Sequence, residues 1–293
     1  MRRCRQSPEI GSPVDRLLRW TMVWLSLVLI GCRGEDESAR VESRSAGIVS
    51  LSPAITTTLI DLGVGDRIVG RTPWCRGIDD RPVVGSLEGV DAELLVSIDP
   101  DLVLHQPPAT GPDPVLLGLQ RRHGFRLEGG RLDGAEDVLR LLDTLEALEV
   151  GSSERIADRR AALEEIVRDG AKSPPADAAR TAVLHSLDPV GVAGRDTYLG
   201  ELVAAAGLQN AAGSGGWRAW SVESLLSSDV DLVLIFSGRG TGDEVEARLR
   251  DLEWTVPPGI LVVSGLDAFE PSTRMPEVLD AVRGRLAARE TTP

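Results

Sequence analysis

The sequence predicts an α/β protein built as two similar βα lobes with mostly parallel sheets, joined by one long helix, with a ligand cleft between the lobes. Three observations carry this. From about Ser152 to Lys172 the chain reads SSERIADRRAALEEIVRDGAK, with no Pro and no Gly before Gly170. Ile156, Ala161, Ala162, Leu163 and Val167 fall near helical spacing there, and charge fills most other positions. Second, Ala92–Leu104 and Val222–Leu234 align without a gap and match at most positions, so the chain states one unit on each side of the helix. Third, short apolar runs alternate with capped helical stretches on both sides, the grammar of parallel sheets with right-handed crossovers.

The elements follow in order. Residues 1–31 read as a leader: Arg2, Arg3, Arg5, Arg16 and Arg19 precede an apolar run, Met22 to Ile30, too short for a comfortable membrane span. The run ends Gly31-Cys32, which resembles the bacterial lipobox, so Cys32 is the expected lipidation site. Residues 32–45 are polar and read as a flexible tether. The N-terminal lobe is expected over 46–150. Gly47–Leu51 is a strand, and Ser52-Pro53 opens a helix that Gly63 stops. Arg67–Gly70 and Val83–Gly85 are strands, with Thr72–Gly77 a loop between them. Asp91 caps a helix through Ile98, Leu102–Leu104 is a strand, Phe125–Leu127 a weaker one, and Asp133 caps a helix from Ala135 to Leu148. The interlobe helix takes 151–172, about 30 Å at 1.5 Å per residue. The C-terminal lobe, 173–293, repeats the pattern. Arg180–His185, Leu232–Phe236 and Ile260–Val263 are strands. Helices are expected after Asp196 and Ser221 and from Pro276 to Ala288, and Ser237–Gly242 reads as a flexible loop.

Composition excludes several functions. The formal charge is −13; the leader carries +3, from five Arg against Glu9 and Asp15, so the remainder carries −16. No basic patch stands out, which argues against a nucleic-acid partner. Of the three cysteines, Cys4 is in the leader and Cys32 takes lipid, so Cys75 has no disulfide partner in the mature chain. No His, Cys or carboxylate cluster has metal-ligand spacing, and no P-loop, nucleophile elbow or His-Glu-x-x-His occurs. Neither a metal site, a cofactor nor an enzyme is expected.

Ile48–Gly63, Val84–Ser86 with Ala92–Leu104, Gly194–Asn210 and Trp217–Leu234 together resemble a known family: the substrate-binding lipoproteins of ABC importers for cobalamin, iron-siderophores and haem. Phe269–Arg274 is similar to that family's Pro- and Arg-containing loop before the closing helix. The resemblance spans about residues 46–288. It implies two lobes on one rigid helix, a metal-chelate ligand that itself carries cobalt or iron, a permease as partner, and a place on the periplasmic side of the cell envelope, lipid-anchored. It also implies docking through one Glu on each lobe. Glu201 fills the second position; Thr57 stands at the first, with Asp61 one turn later as the substitute.

A ligand between two such lobes meets loops at the C-terminal ends of strands. Aromatics are few, six Trp, three Phe and one Tyr, and several Trp fall on Gly-rich loops. Trp74, Trp217 and Trp220 are read as cleft residues, against packing, with Tyr198 at a helix start. His105 ends a strand and could touch ligand or be an ordinary polar residue; the same choice applies to His185. Arg274 pairs either with a ligand anion or with an internal carboxylate, and Cys75 is a soft ligand or a buried thiol. The ligand expected is a corrinoid. Arg71, Arg76, Arg218 and Arg274 keep a ferric siderophore or haem open, and Thr57 keeps open a sensor uncoupled from import.

Overall fold

The computed structural model describes residues 47–86, 89–238 and 241–290. The leader, the tether and Cys32 lie outside these residues.

Four parallel strands make the first sheet: β1 (Ile48–Ser50), β2 (Ile68–Gly70), β5 (Leu102–His105) and β6 (Arg126–Gly129), in the order β2-β1-β5-β6. In the second sheet β7 (Arg180–Leu187), β9 (Gln209–Asn210), β11 (Leu232–Ser237) and β12 (Gly259–Ser264) repeat that arrangement, with β9 and β11 parallel to β7 and β12 parallel to β11. The repeat read from Ala92–Leu104 and Val222–Leu234 is thus one helix–strand unit used at equivalent places in two sheets. The second sheet differs by two added antiparallel strands, β8 (Val190–Ala193) and β10 (Trp217–Trp220). The expected strand Val83–Gly85 makes only one bridge to Arg71; β3 (Gly85–Ser86) and β4 (Gly89–Val90) form a separate hairpin.

Helix α1 (Pro53–Asp61) starts with Pro at its first turn and yields at Gly63, whose φ of +80° favours glycine. Helix α2 (Ala92–Ile98) is capped by Asp91, whose carboxylate accepts from the Leu94 N–H. Helix α4 (Ala135–Ala147) begins after Gly134, not after an Asp133 cap; the Asp133 N–H instead donates to the Asp137 carboxylate. The long helix α5 (Ser153–Gly170) is capped by Ser152 and buries Ile156, Leu163 and Ile166 along one stripe. Helix α6 (Tyr198–Ala205) is capped by Thr197 rather than Asp196. Helices α7 (Val222–Leu226) and α9 (Met275–Glu290) lie where expected.

Two helices escaped the sequence reading. Helix α3 (Pro114–His123) sits between Pro- and Gly-rich segments and carries Gly118, but the Asp113 carboxylate caps it and Gly124 closes it. Helix α8 (Gly242–Arg250) begins inside the stretch read as a loop.

Strand alternation divides the core. Ile48, Leu102 and Leu104 on the first sheet, and Val183, Leu232, Leu234 and Phe236 on the second, share one apolar cluster with α1, α4, α5, α6 and α9. Their neighbours point the other way: Val49 and Val103 pack on α2 and α3, and Ala182, Leu184, Val233 and Ile235 on α7 and α8. The long helix therefore lies among the inner helices, against α4 and α6 and beside α9. Wholly buried Leu163 ties it there, and truncating such a side chain to Ala costs about 2–5 kcal/mol.

Candidate functional site

The C-terminal ends of β1, β5 and β7 carry the residues of interest. After β2 the chain wraps around Arg71. This guanidinium, buried, donates to the carbonyls of Thr72 (3.1 Å), Cys75 (3.4 Å), Asp79 (2.9 Å) and Arg81 (3.1 Å). Such a hub fixes a loop that has no regular structure. The Cys75 thiol is fully buried, 3.1 Å from the Thr72 hydroxyl, so it is a packed thiol. Trp74, between them, is turned outward and 44% exposed. An indole held out from a pinned loop is an apolar face without an internal partner of its own size.

His105 ends β5 and is buried; burial lowers its pKa, so the ring is neutral at pH 7. Next to it the Ser52 hydroxyl donates to Gln106 Oε1 at 2.9 Å rather than capping α1.

On the second sheet three rings come together. Trp217 is 51% exposed; its ring meets the edge of His185 at 4.9 Å between centroids, with planes at 87°, and tilts against Tyr198 at 5.6 Å. Edge-to-face and tilted pairs of this kind are favourable by about 0.5–1.5 kcal/mol beyond burial. Gly191 makes the arrangement possible: a Cβ there would stand 2.5 Å from the His185 ring. Burial lowers the His185 pKa as well. Tyr198 is buried, its hydroxyl donates to the Ala268 carbonyl at 3.1 Å, and burial first and Glu270 second raise its pKa. For His185 the sequence left ligand contact and an ordinary polar residue open; in the structure it lies at the irregular register between β7 and β8, with its ring beside Gly191.

Two of the predicted site residues are placed differently. Trp217 and Trp220 sit on the edge strand β10, not on a loop. Being three apart on a strand, they face opposite ways. Trp220 packs against the outer cluster with α7 and α8, so it does not join Trp217.

The expected docking carboxylates do not project. The Asp61 side chain is only 6% exposed; its Oδ1 accepts from Arg159 Nη2 at 2.8 Å, Arg274 Nε lies 3.2 Å away as an ion pair, and Arg159 also reaches Glu277 at 2.6 Å. Arg274 is thus engaged with an internal carboxylate. Glu201 was expected to stand out from α6. Instead its Oε2 accepts from the Ala135 N–H at 2.8 Å, at the start of α4, where backbone N–H groups lack partners. Burial raises its pKa, Glu136 and Asp137 add to this, and the Ala135 bond opposes it.

Among the described residues, no three His, Cys, Asp or Glu side chains gather as a metal site, and no helix is long and apolar enough to cross a membrane. A surface hollow of about 460 Å³, lined by Arg250, Trp254, Pro257 and Pro258, lies at the opposite end of the second sheet, where β12 begins.

Residues 48–119 match the family described as periplasmic binding protein. An ABC transporter substrate-binding lipoprotein of Bacillus subtilis is 23% identical over 250 residues, 78% of each chain. A cobalamin-binding protein of Halobacterium salinarum is 28% identical over 210 residues, 66% of this chain and 54% of its own length. Among solved structures, the periplasmic vitamin B12 binding protein of Vibrio cholerae superposes with a TM-score of 0.64 at 17% identity, covering 84% of this chain and 98% of its own. The periplasmic haem-binding protein of the same organism gives 0.65 at 19% identity, covering 83% and 99%. The resemblance read from the residues is borne out, and the two-lobe α/β fold is that of these proteins.

Proposed function

We propose that this chain is an extracytoplasmic lipoprotein that captures a corrinoid between its lobes, with Trp74 and Trp217 covering the ligand's apolar faces, and hands it to an ABC importer. It performs no chemistry on that ligand. Capture by a periplasmic-type binding protein is supported by the family match over 48–119 and by the substrate-binding relative in Bacillus subtilis. Corrinoid as ligand is supported by the cobalamin-binding relative.

One observation carries the choice of ligand. An anionic siderophore or a haem calls for basic residues lining the cleft. Of the four arginines that could supply them, Arg71 holds its own loop together, Arg218 donates to the Ala212 and Ser214 carbonyls, and Arg274 binds Asp61. Only Arg76 is left exposed on the loop beside Trp74. Exposed aromatic faces with little free positive charge suit a bulky, amide-decorated, neutral chelate better than a carboxylate-bearing one.

A second reading keeps the binding and drops the importer. It is favoured by Asp61 and Glu201, whose carboxylates are bonded internally and so offer no anchor to a permease. Calorimetric titration of residues 33–293 with cobalamin, haem and a ferric siderophore in parallel tests the ligand class. Saturable one-to-one binding of cobalamin, tighter than of the other two, is the expected result. Preference for haem or siderophore removes the corrinoid, and binding of none removes the capture role.

A further inference from the structure

We propose that His185 sets ligand specificity by accepting a hydrogen bond from a peripheral amide of the chelate, beside the exposed face of Trp217. This rests on the reading of the space between Trp74 and Trp217 as a chelate site.

The strand pair β7–β8 carries one residue too many. Leu184 pairs with Val192 and Ser186 with Gly191, so β7 advances two residues where β8 advances one, and His185 is the extra residue. A bulge of this kind leaves its residue out of the ladder and re-aims its side chain. Gly191 supplies the room: a Cβ there would stand 2.5 Å from both Cε1 and Nε2 of the imidazole. The ring comes to rest edge-on to Trp217, with centroids 4.9 Å apart. Trp217 pairs with Ala193 across the sheet, and Ala193, Val183 and Tyr198 all belong to the inner cluster. The imidazole therefore stands on the inner face near the C-terminal end of β7, where ligands meet such sheets. A bulge and a glycine together place this one half-buried ring.

Hydrogen-bonding capacity singles the ring out. Trp217 carries a donor and no acceptor. Tyr198 is buried and gives its proton to the Ala268 carbonyl. Arg218, next to Trp217, donates to the carbonyls of Ala212 and Ser214. Among the described residues, nothing hydrogen-bonds to either ring nitrogen of His185. Burial alone lowers its pKa, so at pH 7 the ring is neutral and keeps one nitrogen as an acceptor. A ligand that covers this nitrogen strips its water, and the loss is offset only if the ligand brings a donor. A primary amide brings N–H groups, whereas a carboxylate or an ester brings acceptors alone. His185 thus favours an amide-decorated chelate on hydrogen bonding, independently of charge.

The full chain, held in detergent, is titrated with dicyanocobinamide, whose periphery carries amides, and with the methyl ester of dicyanocobyrinic acid, whose periphery accepts but does not donate. Cyanide fills both axial positions of either probe. His185→Phe keeps a ring against Trp217 and removes the nitrogens, His185→Ala removes both, and His185→Gln restores an acceptor. His185→Phe is expected to weaken dicyanocobinamide binding about threefold to tenfold and to change ester binding by less than about twofold, with the melting temperature unchanged. His185→Ala is expected to lose the same preference for amide over ester, and His185→Gln to keep most of it. Equal losses for the two probes would show a ring that only packs on Trp217, and unchanged affinity for both would show a ring that does not touch the ligand. Either result overturns the hydrogen bond and leaves chelate binding standing. A shift of the visible bands on binding that is absent in His185→Phe would mean that the imidazole displaces cyanide from the metal, which also overturns it. A wild type that binds neither probe overturns the chelate site and this inference with it.

Discussion

Asp61 and Arg274 meet at 3.2 Å across the boundary between the lobes, one from the helix after the first strand, the other from the turn before the last helix. Glu201 makes the reciprocal reach, from the second lobe's α6 to the Ala135 N–H at the start of α4. Two carboxylates that the family resemblance implied for docking therefore fasten each lobe to the other.

The Asp61 contact sets the first prediction. Asp61→Asn removes the charge that two arginines share. Breaking a buried pair by removing one partner costs about 3–5 kcal/mol, but Arg159 and Arg274 are partly exposed, which reduces the penalty to about 1–3 kcal/mol. Urea denaturation of the single variants and of Asp61→Asn with Arg274→Met is expected to show a favourable coupling of about 0.5 kcal/mol or more. Additive losses would mean the pair is a surface contact without consequence.

Glu201 gives a pH dependence of definite sign. Its folded pKa is raised above the ordinary value of 4.5, mainly by burial, so the folded state favours the protonated acid. The stabilisation is fully present below the ordinary value and is lost as pH rises through the folded value. Glu201→Gln, an isostere of the protonated form, is expected to melt above wild type at pH 7, by about 2 °C or more, and to match it near pH 4. A variant that melts lower at pH 7 would show the charged bond to Ala135 outweighing burial.

Much of the fold was legible because the signals were local. Ser152, Gly63, Asp91 and Ser221 mark helix ends by their own chemistry, and the paired Ala92 and Val222 stretches declare the repeat. What escaped was set by partners distant in sequence. Trp217 looks like a loop residue until β8 supplies Ala193 opposite it, and Trp220 then turns away by strand alternation. Glu201 and Asp61 look like surface carboxylates because their spacing on α6 and α1 is amphipathic. Their partners, Ala135 and Arg274, lie 66 and 213 residues away in sequence respectively. The gathering of Trp217, His185 and Tyr198 depends on Gly191 leaving room for an imidazole, which no single-sequence pattern reports.

The shared core predicts limited motion. Ile48 and Leu102 of one sheet and Val183 and Leu234 of the other belong to a single apolar cluster around the long helix. A wide hinge opening would expose it, at roughly 25 cal/mol per Å² of apolar surface. Small-angle scattering is expected to show a radius of gyration changed by less than about 1 Å on ligand addition. A larger fall would mean the lobes separate in the free protein.

Cys32 lies outside the described residues, and its role is tested in cells. Cys32→Ser is expected to leave an uncleaved precursor that takes up no labelled fatty acid. Equal labelling of variant and wild type would remove the lipid anchor.

The central claim is that a chelate lies against Trp74 and Trp217, and its most direct measurement is cobalamin titration of the wild type, Trp74→Ala and Trp217→Ala, followed by Trp fluorescence and by calorimetry. Burial and stacking on one ring are worth roughly 1–3 kcal/mol, so each truncation is expected to weaken binding about tenfold to a hundredfold. Both rings are about half exposed, so melting temperatures are expected to stay within about 3 °C of wild type. Wild-type fluorescence is expected to be quenched on binding, and less so in each variant. Undiminished affinity in both variants, with folding intact, would contradict the aromatic cleft.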